Sequence, residues 1–228
     1  MTRLVGPLLG VLLVVGVTAC GDDGPAPDPA RDQALIEAAA AGDRDAVVRL
    51  LDDGASVDAT DASGRTALVA AAYGNHVDVA EDLVDAGADV NVQDASQQSA
   101  YLVATSEVGD DLRLLELTLA HGADVDAKDS YNGTGLIRAA DRGYTAIVQR
   151  LLETGIDVDH VNRLGWTALL EAVILGSGDA AHTDVVRLLV DEGGVDVGIA
   201  DRGGRTALDH ARENGYDEIV AILERAGG

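Results

Sequence analysis

Residues 61–91, DASGRTALVAAAYGNHVDVAEDLVDAGADVN, decide the fold of this chain. Asp61 and Gly64 predict a tight turn, because Asp hydrogen-bonds to its own backbone and Gly permits a positive φ. Thr66 is placed to cap a first short helix by accepting a hydrogen bond from a free backbone amide. Val and Leu residues at helical spacing predict a second helix, and Gly87 is placed to end it in the left-handed conformation. The stretch therefore encodes a turn followed by two short helices.

This unit recurs along the chain. Its opening phrase, D-x-x-G-x-T-A-L, returns closely at Asn162 and Asp201 and more weakly at Asp94 and Asp129. The anchor position of the phrase recurs at spacings of 33, 33, 35, 33 and 39 residues, at Gln33, Thr66, Ser99, Thr134, Thr167 and Thr206. Because no such unit can bury its apolar face alone, the units are expected to stack and share one elongated core.

The order and period of these motifs strongly resemble the ankyrin repeat family, whose repeat is about 33 residues. The resemblance covers residues 31–228 and implies an all-α ankyrin-repeat solenoid of about six helix-turn-helix units with β-turn fingers. The predicted units lie near residues 31–60, 61–93, 94–128, 129–161, 162–200 and 201–228. The first unit lacks a finger and the last has a charged final helix, as terminal caps require.

Two units depart from the pattern. In the third, Tyr101 replaces the expected Leu and Gln97 replaces the turn Gly, so this unit is predicted to be the least regular and the least stable. In the fifth, residues 177–181 are inserted between the two helices and are predicted to form a small flexible bulge.

The N-terminal segment resembles a bacterial lipoprotein signal peptide. Arg3 precedes the apolar run 4–17, and Val-Thr-Ala-Cys follows at residues 17–20, as in a lipobox. The run is too short for a comfortable membrane span of about 20 residues. The resemblance implies cleavage after residue 19, lipidation at Cys20, and an extracytoplasmic location on the cell membrane. An uncleaved anchor helix and a plain secretory signal remain as alternatives. Residues 20–30, rich in Pro, Gly and Asp, are predicted to be a flexible tether.

Charge bears on the choice of partner. The 228 residues carry a formal net charge of −24, which repels phosphate backbones, so nucleic acid is excluded as a partner. A basic protein would be attracted, although strong acidity also keeps a protein soluble.

The sequence offers little for catalysis. Cys20 is the single cysteine, and the five histidines lack metal-ligand spacing. His76 and His182 fall where the family commonly has a structural histidine. Residues 124–133 loosely resemble a calcium loop but lack its closing glutamate. We therefore predict no enzyme activity, no cofactor, no metal site and no small-molecule substrate; an enzyme or metal carrier stays a minor possibility.

The resemblance implies that another protein binds the concave face formed by the finger tips and the first helices. Aromatic, aliphatic and Arg residues collect there in the last three units, and we predict partner contacts at Tyr131, Arg142, Arg163, Leu164, Trp166, Ile174, Leu175, Arg202 and Arg205. The arginines predict a local positive strip that favours an acidic partner. Alternatively, Trp166 packs on its own finger and contributes nothing to binding.

These observations predict a non-catalytic protein–protein interaction scaffold, displayed on the outer side of a bacterial membrane by a lipid anchor. The alternative is an inhibitor or immunity-type protein that sequesters a specific envelope enzyme or toxin. The two differ only in the identity of the partner, so the sequence cannot separate them.

Overall fold

The computed structural model describes residues 28–227, which form twelve α-helices and no β-strand. The helices follow one another as six pairs: α1 (Pro29–Ala41) and α2 (Arg44–Asp52), α3 (Ala67–Tyr73) and α4 (Val77–Asp85), α5 (Ala100–Ala104) and α6 (Leu112–Ala120), α7 (Gly135–Arg142) and α8 (Thr145–Leu152), α9 (Ala168–Ile174) and α10 (Ala180–Asp191), and α11 (Ala207–Asn214) and α12 (Asp217–Gly227). The predicted all-α solenoid of six helix pairs is confirmed.

The fingers that precede α3, α5, α7, α9 and α11 form as the motif predicts. In the second unit, Asp61 Oδ1 accepts hydrogen bonds from the backbone N–H of Ser63 (2.8 Å) and Arg65 (3.0 Å), and Gly64 adopts φ 73°. Thr66 Oγ1 then accepts a hydrogen bond from Val69 N at 3.2 Å and caps α3. The equivalent hydroxyl caps the first helix of each later unit, at Ser99, Thr134, Thr167 and Thr206.

One continuous core runs through the stack. First helices of successive units pack on one another at α1–α3, α3–α5, α7–α9 and α9–α11, and the second helices form an outer row from α2 to α12. Alanines such as Ala71 and Ala72 are fully buried in the inner row and let the helices approach closely, while Leu83 is fully buried in the outer row.

Polar side chains also join successive units. His76 Nε2 donates to Ala40 O at 3.2 Å, and His182 Nε2 donates to Asp141 O at 3.0 Å, so both histidines have the structural role that the family resemblance implies. In the loops between units, a side-chain oxygen accepts a hydrogen bond from a backbone N–H of the following loop at Asp58, Asn91 and Asp159.

The third unit has a short first helix of five residues. Tyr101 is fully buried there, and its Oη donates to Val125 O at 3.1 Å. Gln97 takes the turn position with φ 59°, a left-handed conformation that costs a residue with a Cβ more than it costs glycine. The helical irregularity predicted for this unit is present.

The insertion in the fifth unit differs from the predicted bulge. Its last two residues are helical and lengthen α10 to twelve residues. The ring of Tyr216, from the next unit, lies against Gly178, and its Oη donates to Gly176 O at 3.1 Å. The inserted loop is therefore packed beneath an aromatic ring.

The first helix begins at Pro29, inside the segment 20–30 predicted as a tether, and Asp28 caps it. The predicted signal peptide 1–19 and Cys20 lie outside the described residues. Between residues 28 and 227, no helix is both long and apolar enough to span a bilayer.

Candidate functional site

A cavity of about 260 Å³ opens on the concave face between the fourth and fifth units. The two fingers and the first helices α7 and α9 surround it. Its lining combines apolar and ionisable side chains: Asp129, Tyr131, Gly133, Ile137, Arg138, Asp141, Asn162, Leu164, Glu171 and Leu175.

The mouth of the cavity is apolar and exposed. Tyr131 and Leu164 lie on the finger tips and are 62% and 44% exposed, and Leu175 follows the end of α9 and is 52% exposed. Only six large hydrophobic residues in the described part of the chain are exposed, and three of them line this cavity. Such a concentration commonly marks an interaction surface. The cavity thus brings together three of the residues predicted from the sequence.

Trp166 and Ile174 do not line the cavity. Both are half-buried and pack against the shared core. Trp166 also closes its finger through the backbone, because its N–H donates to Asn162 Oδ1 at 3.1 Å and its carbonyl accepts from Asn162 N at 3.0 Å. These two residues therefore lie outside the lining of the cavity, and each is only partly exposed.

The four predicted arginines do not form a free positive strip, and that expectation needs correction. Arg205 forms an ion pair with Glu213. The Arg142 guanidinium lies 4.0 Å from a carboxylate oxygen of Glu107 and 3.8 Å from one of Asp141. Opposite charges therefore offset both cations.

The other two arginines tie fingers together. Arg163 Nη1 donates to Ser130 O at 2.7 Å, and Arg202 Nη2 donates to Arg163 O. The sequence predicted that Arg163 and Arg202 lie on the concave face, but it did not predict what they bind. Their partners are backbone carbonyls of the preceding finger.

The floor of the cavity is polar, and sequence reasoning missed it. Asp129 is buried; its Oδ1 accepts from Tyr131 N and Gly133 N, both at 2.8 Å, and its Oδ2 accepts from Arg138 Nη1 at 2.7 Å. Arg138 also donates to Ser106 Oγ. Asp129 therefore has a structural role, and both of its oxygens are engaged.

Glu171 is the second buried acid of the floor, and it is 5% exposed. Asn162 Nδ2 donates to its Oε1 at 2.7 Å. Burial raises the pKa of Glu171 to about 7, and the nearby negative charges of Asp141 and Asp129 act in the same direction.

A matched pair of residues nine positions apart recurs in the last three units. Asp129 bonds to Arg138, Asn162 to Glu171, and Asp201 to His210 at 2.8 Å. The fifth unit has Asn where the other fingers have Asp, and this substitution removes the repulsion that Glu171 would otherwise meet. The sequence shows that Asn162 differs from the Asp of the other fingers, but it does not show that Asn162 contacts Glu171.

No group of three His, Cys, Asp or Glu side chains in the described residues is arranged to hold a metal ion. In the stretch 124–133, Asp124 Oδ1 accepts a hydrogen bond from Asp126 N at 3.0 Å, as in a turn.

Stacked helix pairs with projecting fingers and a concave groove define the protein as a helical repeat solenoid. The chain belongs to the ankyrin repeat family: a family model described as "Ankyrin repeats (3 copies)" matches residues 10–94 and 102–183.

Among solved structures, an ankyrin repeat domain from Acinetobacter baumannii is 44% identical with a TM-score of 0.80, and the match covers 85% of this chain and 97% of that one. EF0377, an ankyrin repeat protein, is 40% identical with a TM-score of 0.78, over 85% and 98% of the two chains.

Among curated proteins, the putative ankyrin repeat protein YahD of Escherichia coli is 38% identical over 121 residues, which is 53% of this chain and 60% of YahD. Human ankyrin repeat and SOCS box protein 6 is 36% identical over 42% of this chain and 23% of its own length. The chain therefore matches less than two thirds of either relative.

Proposed function

We propose that this protein is a non-catalytic scaffold that binds another protein through the concave face of its fourth and fifth units. Ankyrin repeats generally mediate protein–protein interaction, and proteins of this family are typically binding scaffolds. The single observation that carries the proposal is the cavity with its exposed rim of Tyr131, Leu164 and Leu175. Tyr is also among the residue types enriched at binding hot spots.

We further propose that Cys20 carries a lipid anchor and that the repeats are displayed on the outer side of a bacterial membrane. The resemblance of residues 1–20 to a lipoprotein signal supports this location. Two or more acyl chains hold a protein on a membrane, whereas one chain binds only marginally. The helical domain would then begin at Pro29, nine residues after the anchor at Cys20.

An inhibitor or immunity-type role is the second candidate. Its support is a relative named cyclin-dependent kinase inhibitor 2A, from Monodelphis domestica, which is 30% identical over 43% of this chain and 73% of its own length. In that role, the groove would sequester one envelope enzyme or toxin.

Proximity labelling from the intact chain in its native host tests the proposal. The wild type is compared with a triple variant of the rim, Tyr131→Ala, Leu164→Ala and Leu175→Ala, and with Tyr73→Ala, which removes an exposed tyrosine from α3. Proteins labelled by the wild type and by Tyr73→Ala but not by the triple variant are the expected partners. Identical labelling by all three chains would remove the groove from consideration.

If the partner is an enzyme or toxin, its activity with and without this protein separates the two candidate roles.

A further inference from the structure

Glu171 has one carboxylate oxygen that no protein donor satisfies. Oε1 accepts from Asn162 Nδ2, while Oε2 has no hydrogen-bond donor among the described residues. Among the described residues, the side-chain atoms that are fully buried without a hydrogen-bond partner are Asn75 Oδ1 and Gln98 Oε1. Glu171 Oε2 is not one of them, so it retains some exposure to solvent. Since Glu171 lines the cavity and Oε2 is not sealed, this oxygen opens into the cavity.

The surrounding donors cannot turn toward Oε2. The orientation of Asn162 is fixed, because its Oδ1 already accepts from Leu164 N at 2.9 Å and Trp166 N at 3.1 Å, which leaves only Nδ2 for Glu171. The guanidinium of Arg138 is committed to the fourth unit's Asp129 and to the third unit, where it bonds Ser106 Oγ and lies 2.8 Å from Glu107 Oε1.

The charges that face the cavity are mainly negative. From α7 and its finger these are Asp141, whose carboxylate lies 3.8 Å from the Arg142 guanidinium, and Asp129, which is paired with Arg138, the one cation that lines the cavity. Glu171 is the acid of this lining that has no cationic partner among the described residues. On the other sides of α9, the ionisable groups are bonded elsewhere: His182 of α10 to Asp179 and to Asp141 O, and His210 of α11 to Asp201. A cationic occupant would therefore complement the floor.

We propose that the cavity receives an arginine side chain of the protein partner, with its guanidinium on Glu171 Oε2 and its aliphatic stem against Tyr131, Leu164 and Leu175. The proposal rests on the protein-binding function proposed above and specifies its chemistry. Arginine fits better than lysine, because its planar guanidinium is more weakly hydrated and packs against apolar and aromatic surfaces. An N–H donated to an ionised carboxylate also forms one of the stronger hydrogen bonds in proteins.

The raised pKa of Glu171 adds a dependence on pH. With a pKa of about 7, the carboxyl group is mostly neutral in slightly acidic solution and ionised in slightly alkaline solution. A guanidinium binds the ionised form, so its affinity should rise about tenfold between about pH 6 and about pH 8.5.

The test uses benzamidine as a small probe of guanidinium-like charge and benzamide as its neutral isostere. The full-length chain, labelled with ¹⁵N in non-ionic detergent, is titrated with each probe while the side-chain amide signal of Asn162 is followed by NMR. Two variants lose the same charge: Glu171→Gln in the cavity, and Glu81→Gln on the exposed surface of α4. Folding of each variant is checked by its amide spectrum.

Benzamidine should shift the Asn162 signal and bind the wild type and Glu81→Gln alike, more tightly at higher pH. Glu171→Gln should weaken binding about tenfold at high pH and remove the pH dependence. Equal binding of benzamide and benzamidine, or of Glu171→Gln and the wild type, would overturn the proposal; the comparison of the two probes needs no variant. If benzamidine fails while rim variants still abolish labelling of a partner, only this inference is lost, whereas the function fails if the rim variants change nothing.

Discussion

Tyr101 and Gly135 share one space across the boundary between the third and fourth units. A β carbon built on Gly135 would lie 2.6 Å from Tyr101 Oη and 2.9 Å from a methyl group of Thr105. In the other finger-bearing units the residue equivalent to Gly135 is alanine and the one equivalent to Tyr101 is leucine, as in Ala168 and Leu169. The larger and the smaller residue therefore compensate for one another.

This contact predicts a coupled pair of substitutions. Gly135→Ala alone should lower the free energy of unfolding by roughly 1–3 kcal/mol, because it overpacks a filled core. In a Tyr101→Leu background the same change should cost less, since the contact with the tyrosine hydroxyl is gone and only the one with the Thr105 methyl group remains. Chemical denaturation of the wild type, both single variants and the double variant measures the coupling. Additive effects of the two substitutions would show that the residues do not share this space.

The turn of the third unit predicts a stabilising substitution. Gln97 holds φ 59° and its side chain makes no hydrogen bond, so Gln97→Gly should stabilise the chain by about 1 kcal/mol through relief of the left-handed strain. The reciprocal control is Gly64→Gln, at the same turn position with φ 73°, which should destabilise by a similar amount. Thermal melting checks both, and a Gln97→Gly variant that melts below the wild type would contradict the argument.

The fold could be predicted because it depends on local, repeated signals. The turn Asp and Gly, the capping Thr and the helical spacing of Ala, Val and Leu each act within one unit, and the period shows that the units stack. What could not be predicted crosses unit boundaries. Nothing local to residues 177–181 shows that Tyr216 lies over them, and nothing local to Tyr101 indicates Gly135.

Glu171 makes stability depend on pH. Its pKa is raised from 4.5 to about 7 by burial, so the folded state retains a proton that the unfolded state releases as pH rises through this interval. The contribution of Glu171 to stability is therefore fully present below about pH 4.5 and is lost as pH rises through about 7. Relative to the wild type, Glu171→Gln should be neutral in acid and more stable above about pH 7, by up to about 3 kcal/mol.

Urea denaturation at several pH values measures this difference, with the exposed Glu81→Gln as the charge-matched control. A stability difference between Glu171→Gln and the wild type that stays constant with pH would show that Glu171 titrates normally.

Once a partner is known, substitutions in the rim and in the finger core should have different effects. Tyr131→Ala should weaken binding by roughly thirtyfold, the size of effect typical of a hot spot, with little change in melting, because the side chain is exposed. Trp166→Ala should instead lower stability by roughly 1–3 kcal/mol, since the half-buried indole packs on the core. Calorimetric titration and melting of both variants, with Tyr73→Ala as control, check the assignment. Unchanged stability in Trp166→Ala would contradict the packing role.

The proposed anchor predicts that radiolabelled palmitate enters the wild type and not Cys20→Ala. The Cys20 thiol is the proposed attachment point of the lipid, and residue 20 is the only cysteine, so Cys20→Ala leaves no thiol to modify. Fractionation of membranes supplies the second measurement, and Cys20→Ala should leave the membrane fraction. A mature protein that retains Met1 would contradict the cleavage.

Part of the site was also predictable. The finger and helix template placed Tyr131, Leu164 and Leu175 on the concave face, because exposure there follows from position in the repeat. The polar floor did not follow from position. Whether Arg142 is free or offset depends on Glu107, which belongs to the preceding unit, and the raised pKa of Glu171 depends on burial that only the packed helices create.

Pairs of compensating residues decide which segments of this chain can be exchanged by recombination. Asn162 and Glu171 travel together within one unit, so a transplanted fifth unit would bring its own compensating polar pair. Tyr101 and Gly135 lie in different units, so moving the third unit without the fourth would place a tyrosine against an alanine. The third and fourth units thus form the smallest segment that can be exchanged without loss of this contact, although the repeat itself is half that length.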